Sequence, residues 1–209
     1  MVIAIVFVLA TSSACTTTQV VSSNSTPAKQ SSTLIPLDEL LDIGIEPLEP
    51  GIPDDPDAID KALIVPDVRR AESSYIAYHL KDTLELTGNW GAVRVTPEPS
   101  NAVDLHISGR IVQSDGELIK VSISAHDATG KLWYRRTYDD LASKFSYQKP
   151  VEDPFQDLYN KIADDLLEAR ELMSRGQIVN IKTIANLKFA NDLAPDAFDG
   201  YLEASKRGQ

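Results

Sequence analysis

The chain has 209 residues, of which 43% are apolar and 24% are charged, a composition typical of one soluble globular domain with room for a tail. Its net charge of −11, from 31 acidic and 20 basic residues, argues against nucleic-acid binding, which needs a basic surface. A single cysteine excludes an intramolecular disulfide framework and a cysteine-rich zinc site.

The amino terminus indicates where the protein is sent. Residues 1–10 are all apolar, but a helix of ten residues rises only about 15 Å, half the hydrocarbon thickness of a bilayer. The run therefore suits a secretory signal better than a membrane span. Small residues follow it, and then the only cysteine, Cys15. This order resembles a bacterial lipobox, with Ala14 and Ser13 in agreement and Ser12 in place of the usual leucine.

The lipobox resemblance implies that residues 1–14 are a signal peptide and that Cys15 carries acyl chains. Acyl chains contribute about 0.8 kcal/mol per buried CH₂, so a multiply acylated cysteine anchors a protein firmly. Thr16 stands where an aspartate would indicate retention at the inner membrane. We therefore expect a lipoprotein on the periplasmic face of the outer membrane. The alternative is a cleaved signal peptide beside a cysteine that is buried and unmodified.

Residues 15–60 are predicted to be a disordered, acidic and proline-rich tether. Seven of the twelve prolines lie between Pro27 and Pro66, and nine acids and no bases lie between Asp38 and Asp60. The rest of the chain has 22 acids and 20 bases, a net charge of only −2. Within the tether, residues 34–45 alternate acids with Leu and Ile, and we interpret three leucines there as candidate contacts to the domain or to a partner: Leu37, Leu40 and Leu41. The alternative is a passive apolar stretch.

The first predicted elements of the domain are a strand, a helix and a second strand. Residues 61–65 are predicted as a strand that Pro66 ends. Residues 68–87 are predicted as a helix that ends at Gly88, with an apolar stripe at Ile76, Leu80 and Leu84 and with Arg69 on its wet side. Residues 92–95 are predicted as the next strand.

A strand meander and two helices are predicted to complete the fold. Apolar and polar residues alternate over 102–114 and 119–125, with turn signals at 114–116 and 127–130, and a third strand covers 132–138. Asp153, Pro154 and Gln156 mark a helix start, and residues 178–193 are predicted as a further helix.

These elements predict an α+β fold, a two-layer sandwich. Its sheet is predicted to be mostly antiparallel, with four to five strands and two or more helices on one face. The domain is predicted over residues 61–175, with a helical extension over 176–209.

This order of elements resembles the TolB amino-terminal domain. The similarity is carried by residues 80–90, a helix that ends in a Gly and aromatic turn, and by the strand at 102–111, Ala-Val-Asp-Leu-His-Ile-Ser-Gly-Arg-Ile. It continues in the turn Asp-Ala-Thr-Gly-Lys at 127–131 and in the helix at 158–167. The chain is also similar to uncharacterised proteobacterial lipoproteins with that core. TolB continues into a β-propeller, whereas nothing here repeats at blade length, so the resemblance implies a fold and not a role.

No catalytic or metal-binding motif is found in the sequence. The three histidines have no partner at ligand spacing, although His106 and His126 on adjacent strands are expected to share a face. Paired acids such as Asp139 and Asp140 point to opposite faces of a strand and suggest no acid–base pair. Three residues of the third meander strand are candidate partner contacts: Trp133, Arg135 and Arg136. Trp133 is a candidate as an exposed aromatic side chain, and the two arginines are candidates for contact with an acidic partner or with the acidic tether.

The sequence therefore predicts a non-enzymatic, lipid-anchored cell-envelope protein that acts by protein–protein contact. We expect no cofactor and no metal, and the expected partners are the membrane, through Cys15, and an unknown envelope protein. One alternative is a periplasmic binding or hydrolytic module that acts on cell-wall material. Another is a truncated fragment of a longer lipoprotein.

Overall fold

A computed structural model describes residues 25–142, 147 and 152–198. A 3-10 turn at Leu37–Glu39 precedes the first strand. The elements that follow are β1 (Ile43–Ile45), α1 (Pro56–Lys61), α2 (Pro66–Thr87), β2 (Val93–Val95), β3 (Leu105–Ser114), β4 (Leu118–Asp127), β5 (Leu132–Leu141), α3 (Gln156–Glu171), α4 (Arg175–Leu193) and α5 (Pro195–Phe198).

The five strands form one mixed sheet in the order β2-β1-β3-β4-β5. Strands β3, β4 and β5 are an antiparallel meander, whereas β1 is parallel to both β2 and β3. The predicted α+β two-layer class is confirmed, but the sheet is mixed because β1 and β2 are joined by the crossover helix α2. A helical crossover is the usual way to connect parallel neighbours.

The core lies between the sheet and the helices α2 and α3. The buried face predicted for α2 is confirmed, since Ile76, Leu80 and Leu84 all pack against the sheet. Gly88 ends α2 in the left-handed conformation, with φ of 68°, as predicted. On α3, three apolar residues spaced along one face are also buried: Leu158, Ile162 and Leu166.

The prediction that Arg69 faces water is wrong, because its guanidinium has partners inside the protein. Its Nη2 donates to the carbonyl of Ser114 at 2.8 Å, and its Nε lies 3.2 Å from the carboxylate of Glu72. The side chain is buried, and these contacts tie the start of α2 to the end of β3. A buried guanidinium with a carboxylate and a carbonyl partner avoids the cost of an unpaired charge.

The strand predicted at residues 61–65 is wrong. The Asp55 side chain accepts a hydrogen bond from the Asp57 N–H and begins α1, which covers the start of that range. Leu63 is exposed and has a positive φ of 51°, so the apolar run has no core to enter. The first strand of the sheet is instead β1, inside the segment predicted to be a tether.

The prediction that residues 15–60 form a disordered tether, with the domain starting at 61, is wrong for part of that range. Four apolar residues between 41 and 48 are fully or almost fully buried: Leu41, Ile43, Ile45 and Leu48. The acids between them, at 42 and 46, remain partly in water, whereas Gly44 is buried with its neighbours. Residues 1–24, with Cys15 and the signal peptide, lie outside the described residues.

Helices α3 and α4 begin at residues other than those predicted. Asp153 Oδ1 accepts from the N–H of Phe155, and α3 begins at Gln156. Helix α4 begins at Arg175, because Ser174 and Gln177 form a reciprocal capping box. Gly176 lies in the first turn of α4.

Candidate interaction surface

The three leucines predicted as contacts differ in exposure. Leu37 is 86% exposed in the 3-10 turn and remains available to a partner. Leu40 is half-buried, and its carbonyl accepts a hydrogen bond from Lys182 Nζ at 2.6 Å. Leu41 is fully buried in the core, so its prediction as a partner contact is wrong. Its side chain contributes to the fold of its own domain.

The structure does not bring Trp133, Arg135 and Arg136 together as one surface. Trp133 packs against the core, and its Nε1 donates to Asp127 Oδ2 at 3.0 Å. Arg135 faces the open side of the sheet, where its Nε donates to the Ser124 hydroxyl at 2.9 Å. Neighbours on a strand point to opposite faces, so Arg136 faces the helices.

Arg136 is part of a contact between β5 and α3. Its Nη1 lies 2.8 Å from Asp165 Oδ2, and its guanidinium lies 5.1 Å from the centre of the Tyr134 ring. The same Asp165 oxygen accepts from the Tyr138 hydroxyl at 2.7 Å. Burial raises the pKa of Tyr138, and the hydrogen bond to Asp165 raises the pKa of Arg136. The prediction that Arg136 meets the acidic segment 38–60 is wrong, because the carboxylate that Arg136 contacts is that of Asp165 on α3.

The two histidines predicted to share a face are paired directly across β3 and β4, His106 opposite His126. Burial lowers the pKa of His106, and the nearby charges of Lys188 and His126 lower it further. Among residues 25–142, 147 and 152–198, no group of three or more His, Cys, Asp or Glu side chains is placed to hold a metal ion.

One cleft of about 380 Å³ lies between α4 and the loop at 96–104. Its two carboxylates, Asp42 and Asp104, are both engaged within the fold. Asp104 Oδ2 accepts from the Asp42 N–H at 2.8 Å and from Lys182 Nζ at 3.1 Å. Asp42 Oδ1 accepts from the Ala92 N–H at 2.8 Å. These carboxylates join the starts of β1 and β2 to the middle of α4.

Helix α2 carries a second apolar face that sequence reasoning missed. Val68, Tyr75, Tyr78 and Leu86 are between 54% and 81% exposed, and we call them the α2 stripe. Their spacing places them on one side of the helix, opposite the buried stripe. The 3.6-residue period of these four residues is the signal that the sequence contained. Tyr75 is partly fixed, because its hydroxyl donates to Asp153 Oδ2 at 2.6 Å.

Sequence reasoning also missed a groove between α2 and α3 that holds residues 25–31, which we call the N-terminal segment. A cleft of about 310 Å³ remains between this segment and the two helices. Side chains of the helix layer bind the segment through its backbone. The segment also places Lys29 Nζ 3.2 Å from Glu168, which raises the pKa of Lys29.

The polar residues that bind the segment are themselves buried. Asn160 and Asn89 have little exposed surface, although Asn ordinarily lies at the surface. Buried amides need hydrogen-bond partners, and here the backbone of the segment supplies them. Nothing in the local sequence pattern marks these two residues, because their partners lie more than fifty residues away in the chain.

Across the described part of the chain, no helix has the length and apolar content needed to cross a bilayer. No protein-family model matches the sequence, and no curated protein matches it. Among solved structures, the chain is similar to a PelC dodecamer from Paraburkholderia phytofirmans, with 18% identity and a TM-score of 0.37. The alignment covers 68% of this chain and 94% of that one. A similarity at this level supports no conclusion about function, and the resemblance to TolB stays a prediction.

Proposed function

We propose that this protein is a lipid-anchored cell-envelope protein, held at the periplasmic face of the outer membrane, that acts by protein–protein contact and not as an enzyme. The sequence around Cys15 supports the anchor. The α2 stripe is the observation that supports the contact. Exposed apolar side chains that line up on one helix face form the kind of surface that soluble proteins reserve for partners.

The chemistry of the stripe limits the partner that fits it. Val68, Tyr75, Tyr78 and Leu86 offer apolar area with two phenol groups, and tyrosines are enriched among residues that dominate interface energies. Asp82 lies on the same side of the helix between Tyr78 and Leu86, where its largely exposed carboxylate lies 3.0 Å from Lys81 Nζ. The partner surface that fits is therefore apolar, with a basic side chain that competes with Lys81 for Asp82 near one end of the stripe.

A photo-crosslinking amino acid placed at Tyr78 or Leu86 tests the contact in intact cells. We expect one discrete crosslinked product from both positions. The matched controls are Thr129 and Lys131, which are also exposed, in the turn between β4 and β5. Asp82→Lys should abolish the product, because it places like charges in contact. Equal products from the control positions, or a product that survives Asp82→Lys, would contradict the proposed partner surface.

The anchor has an independent test. Cys15→Ala should move the protein from the membrane fraction to the soluble fraction, and the wild type should take up labelled palmitate. A Cys15→Ala protein that still sediments with membranes, together with an unlabelled wild type, would overturn lipid anchoring. That result would not affect the proposed contact surface on α2, which the crosslinking experiment tests separately.

A further inference from the structure

The N-terminal segment is bound as a peptide ligand is bound, through its backbone. The N–H of Thr26 donates to Asp157 Oδ1 at 2.7 Å, and its carbonyl accepts from Asn160 Nδ2 at 2.7 Å. The pattern repeats three residues later. The N–H of Lys29 donates to Asp164 Oδ1 at 2.7 Å, and its carbonyl accepts from Asn89 Nδ2 at 2.9 Å.

The groups that bind the segment line one continuous path. Asp157, Asn160, Asp164 and Glu168 are separated by three or four residues and therefore lie along one face of α3. Asn89, just beyond α2, faces them from the other side and accepts from the N–H of Ser31 at 2.9 Å. The path is built for an extended chain, since it satisfies both backbone groups at two positions.

The segment is held by polar contacts and hardly enters the core. Of its seven residues only Ala28 packs against the hydrophobic core. Lys29 adds ion pairs, with Nζ 3.2 Å from Glu168 and 4.0 Å from Asp164, but its side chain is 60% exposed. Exposed ion pairs and a few hydrogen bonds make a contact that opens without unfolding the domain.

We propose that the α2–α3 groove is a docking site for an extended peptide, that residues 25–31 of the same chain are its occupant, and that this docked segment is a releasable strap. The strap sets how far the domain reaches from the membrane, and that consequence rests on the proposed lipid anchor at Cys15.

The change in reach follows from chain length. Ten peptide units separate Cys15 from Ser25, which span at most about 35 Å when fully extended. If the strap is released, the next fixed point is the 3-10 turn, where the carbonyl of Glu39 accepts from Nη2 of the buried Arg170 at 3.2 Å. The free chain then has about 22 residues and spans at most about 75 Å. Release therefore doubles the distance at which the α2 stripe meets a partner.

Limited proteolysis with trypsin tests the strap on the purified full-length chain. Lys29 is the first Lys or Arg in the sequence, so cleavage after it gives a unique new amino terminus at Gln30. The docked backbone holds Lys29 and Ser31 on both sides of that bond. We therefore expect slow cleavage there in the wild type.

Two nearly isosteric substitutions should release the strap. Asn89→Asp and Asn160→Asp each replace an amide donor by an oxygen that faces a backbone carbonyl. The double variant should be cleaved after Lys29 about tenfold faster or more, since two hydrogen bonds become repulsions. Asn186→Asp adds one negative charge on α4, away from the strap, and should leave the rate unchanged. Cleavage of the double variant at the wild-type rate would overturn the proposal.

Two further measurements keep the result decisive. Cleavage after the buried Arg69 reports unfolding of the domain. If cleavage after Arg69 is faster in the double variant than in the wild type, the test is repeated with Thr26→Pro in place of the double variant. Residue 26 is outside the core, and proline removes the N–H that donates to Asp157. Thr26→Pro must then accelerate cleavage after Lys29 alone. Protection that disappears on dilution would show that the occupant belongs to a second copy, and this too would overturn the proposal.

The change in reach is measured separately, on acylated protein in lipid vesicles. A fluorophore on Thr129→Cys, in an exposed turn, should transfer energy to a lipid dye more efficiently in the wild type than in the double variant. Equal transfer would refute the strap's effect on reach. If Cys15 proves not to be acylated, the proposed anchor fails, whereas the protease result still decides the strap.

Discussion

Two parts of the predicted tether contact the domain in different ways. Residues 41–48 insert four apolar side chains into the core and supply β1, which lies between β2 and β3 in the sheet. Residues 25–31 lie on the surface of the helix layer and are held through backbone hydrogen bonds. Both segments lie in the range predicted as a tether, but only residues 41–48 carry large apolar side chains.

The difference shows that burial of apolar area decides which segment is part of the fold. Complete burial of an isoleucine contributes roughly 1.5–3 kcal/mol, whereas a net hydrogen bond contributes about 1 kcal/mol. Residues 41–48 should therefore unfold only with the whole domain. Residues 25–31 should open far more often, at a cost well below the free energy of global unfolding.

The largest expected effect is in β1. Ile45→Ala should lower the free energy of unfolding by about 2–5 kcal/mol, because it leaves a cavity between the sheet and the helices. Chemical denaturation monitored by tryptophan fluorescence measures the change. Leu37→Ala, at an exposed position, should remain within about 0.5 kcal/mol of the wild type. A small loss for Ile45→Ala would show that residues 41–48 are docked as loosely as the N-terminal segment.

A smaller effect is expected where β1 is tied to α4. Asp104→Ala removes the carboxylate that accepts from the Asp42 N–H and from Lys182 Nζ. Because Asp104 is buried, the Asp42 N–H loses its partner and Lys182 keeps only the Leu40 carbonyl, and we expect a loss of about 1–3 kcal/mol in the same denaturation assay.

Asp192→Ala is the matched control for that substitution. It removes an exposed carboxylate that accepts from Asn101 at the other end of α4, at 2.9 Å. We expect a change within about 0.5 kcal/mol, as for most surface substitutions. Equal losses from the two alanine variants would mean that the contact of Asp104 does not hold β1 in place.

The long elements were predictable from sequence because each repeats its pattern over several turns or residue pairs. The stripe at Ile76, Leu80 and Leu84 located α2, and alternation located β3 and β4. Strand β1 has only three residues, and the middle one is a buried glycine. Its sequence is therefore too short to show the alternation of apolar and polar residues that marks a strand. Its conformation depends on β2 and β3, which lie about fifty and sixty residues further along the chain.

The candidate surface was predicted only in part, for reasons that differ between residues. Leu41 and Leu37 have similar neighbours in the sequence, and only the position of β1 decides that one is buried and the other exposed. Strand alternation alone indicates that Arg135 and Arg136 face opposite sides. The docked segment could not be found, because its binding residues Asn89 and Asn160 become neighbours only in the folded chain.

The smallest expected effect is on the dependence of stability on pH, and it concerns the strand next to β1. His106 lies beside Gly44 of β1 in the sheet, and its pKa is lowered by burial, by Lys188 and by His126. The unfolded chain therefore binds a proton at this histidine more readily than the folded one. Stability should fall as the pH drops below about 6.5, the ordinary pKa of histidine, down to the lowered value in the fold.

His106→Gln should flatten the loss of unfolding free energy between about pH 7 and pH 5, since glutamine does not titrate in that range. Lys188→Gln should flatten it less, because it removes one of the charges that oppose protonation but leaves burial in place. Denaturation curves at several pH values measure the slope for each variant. If His106→Gln keeps the wild-type slope, the acid sensitivity arises elsewhere. The pairing of β1 with β3 would then not depend on the charge of His106.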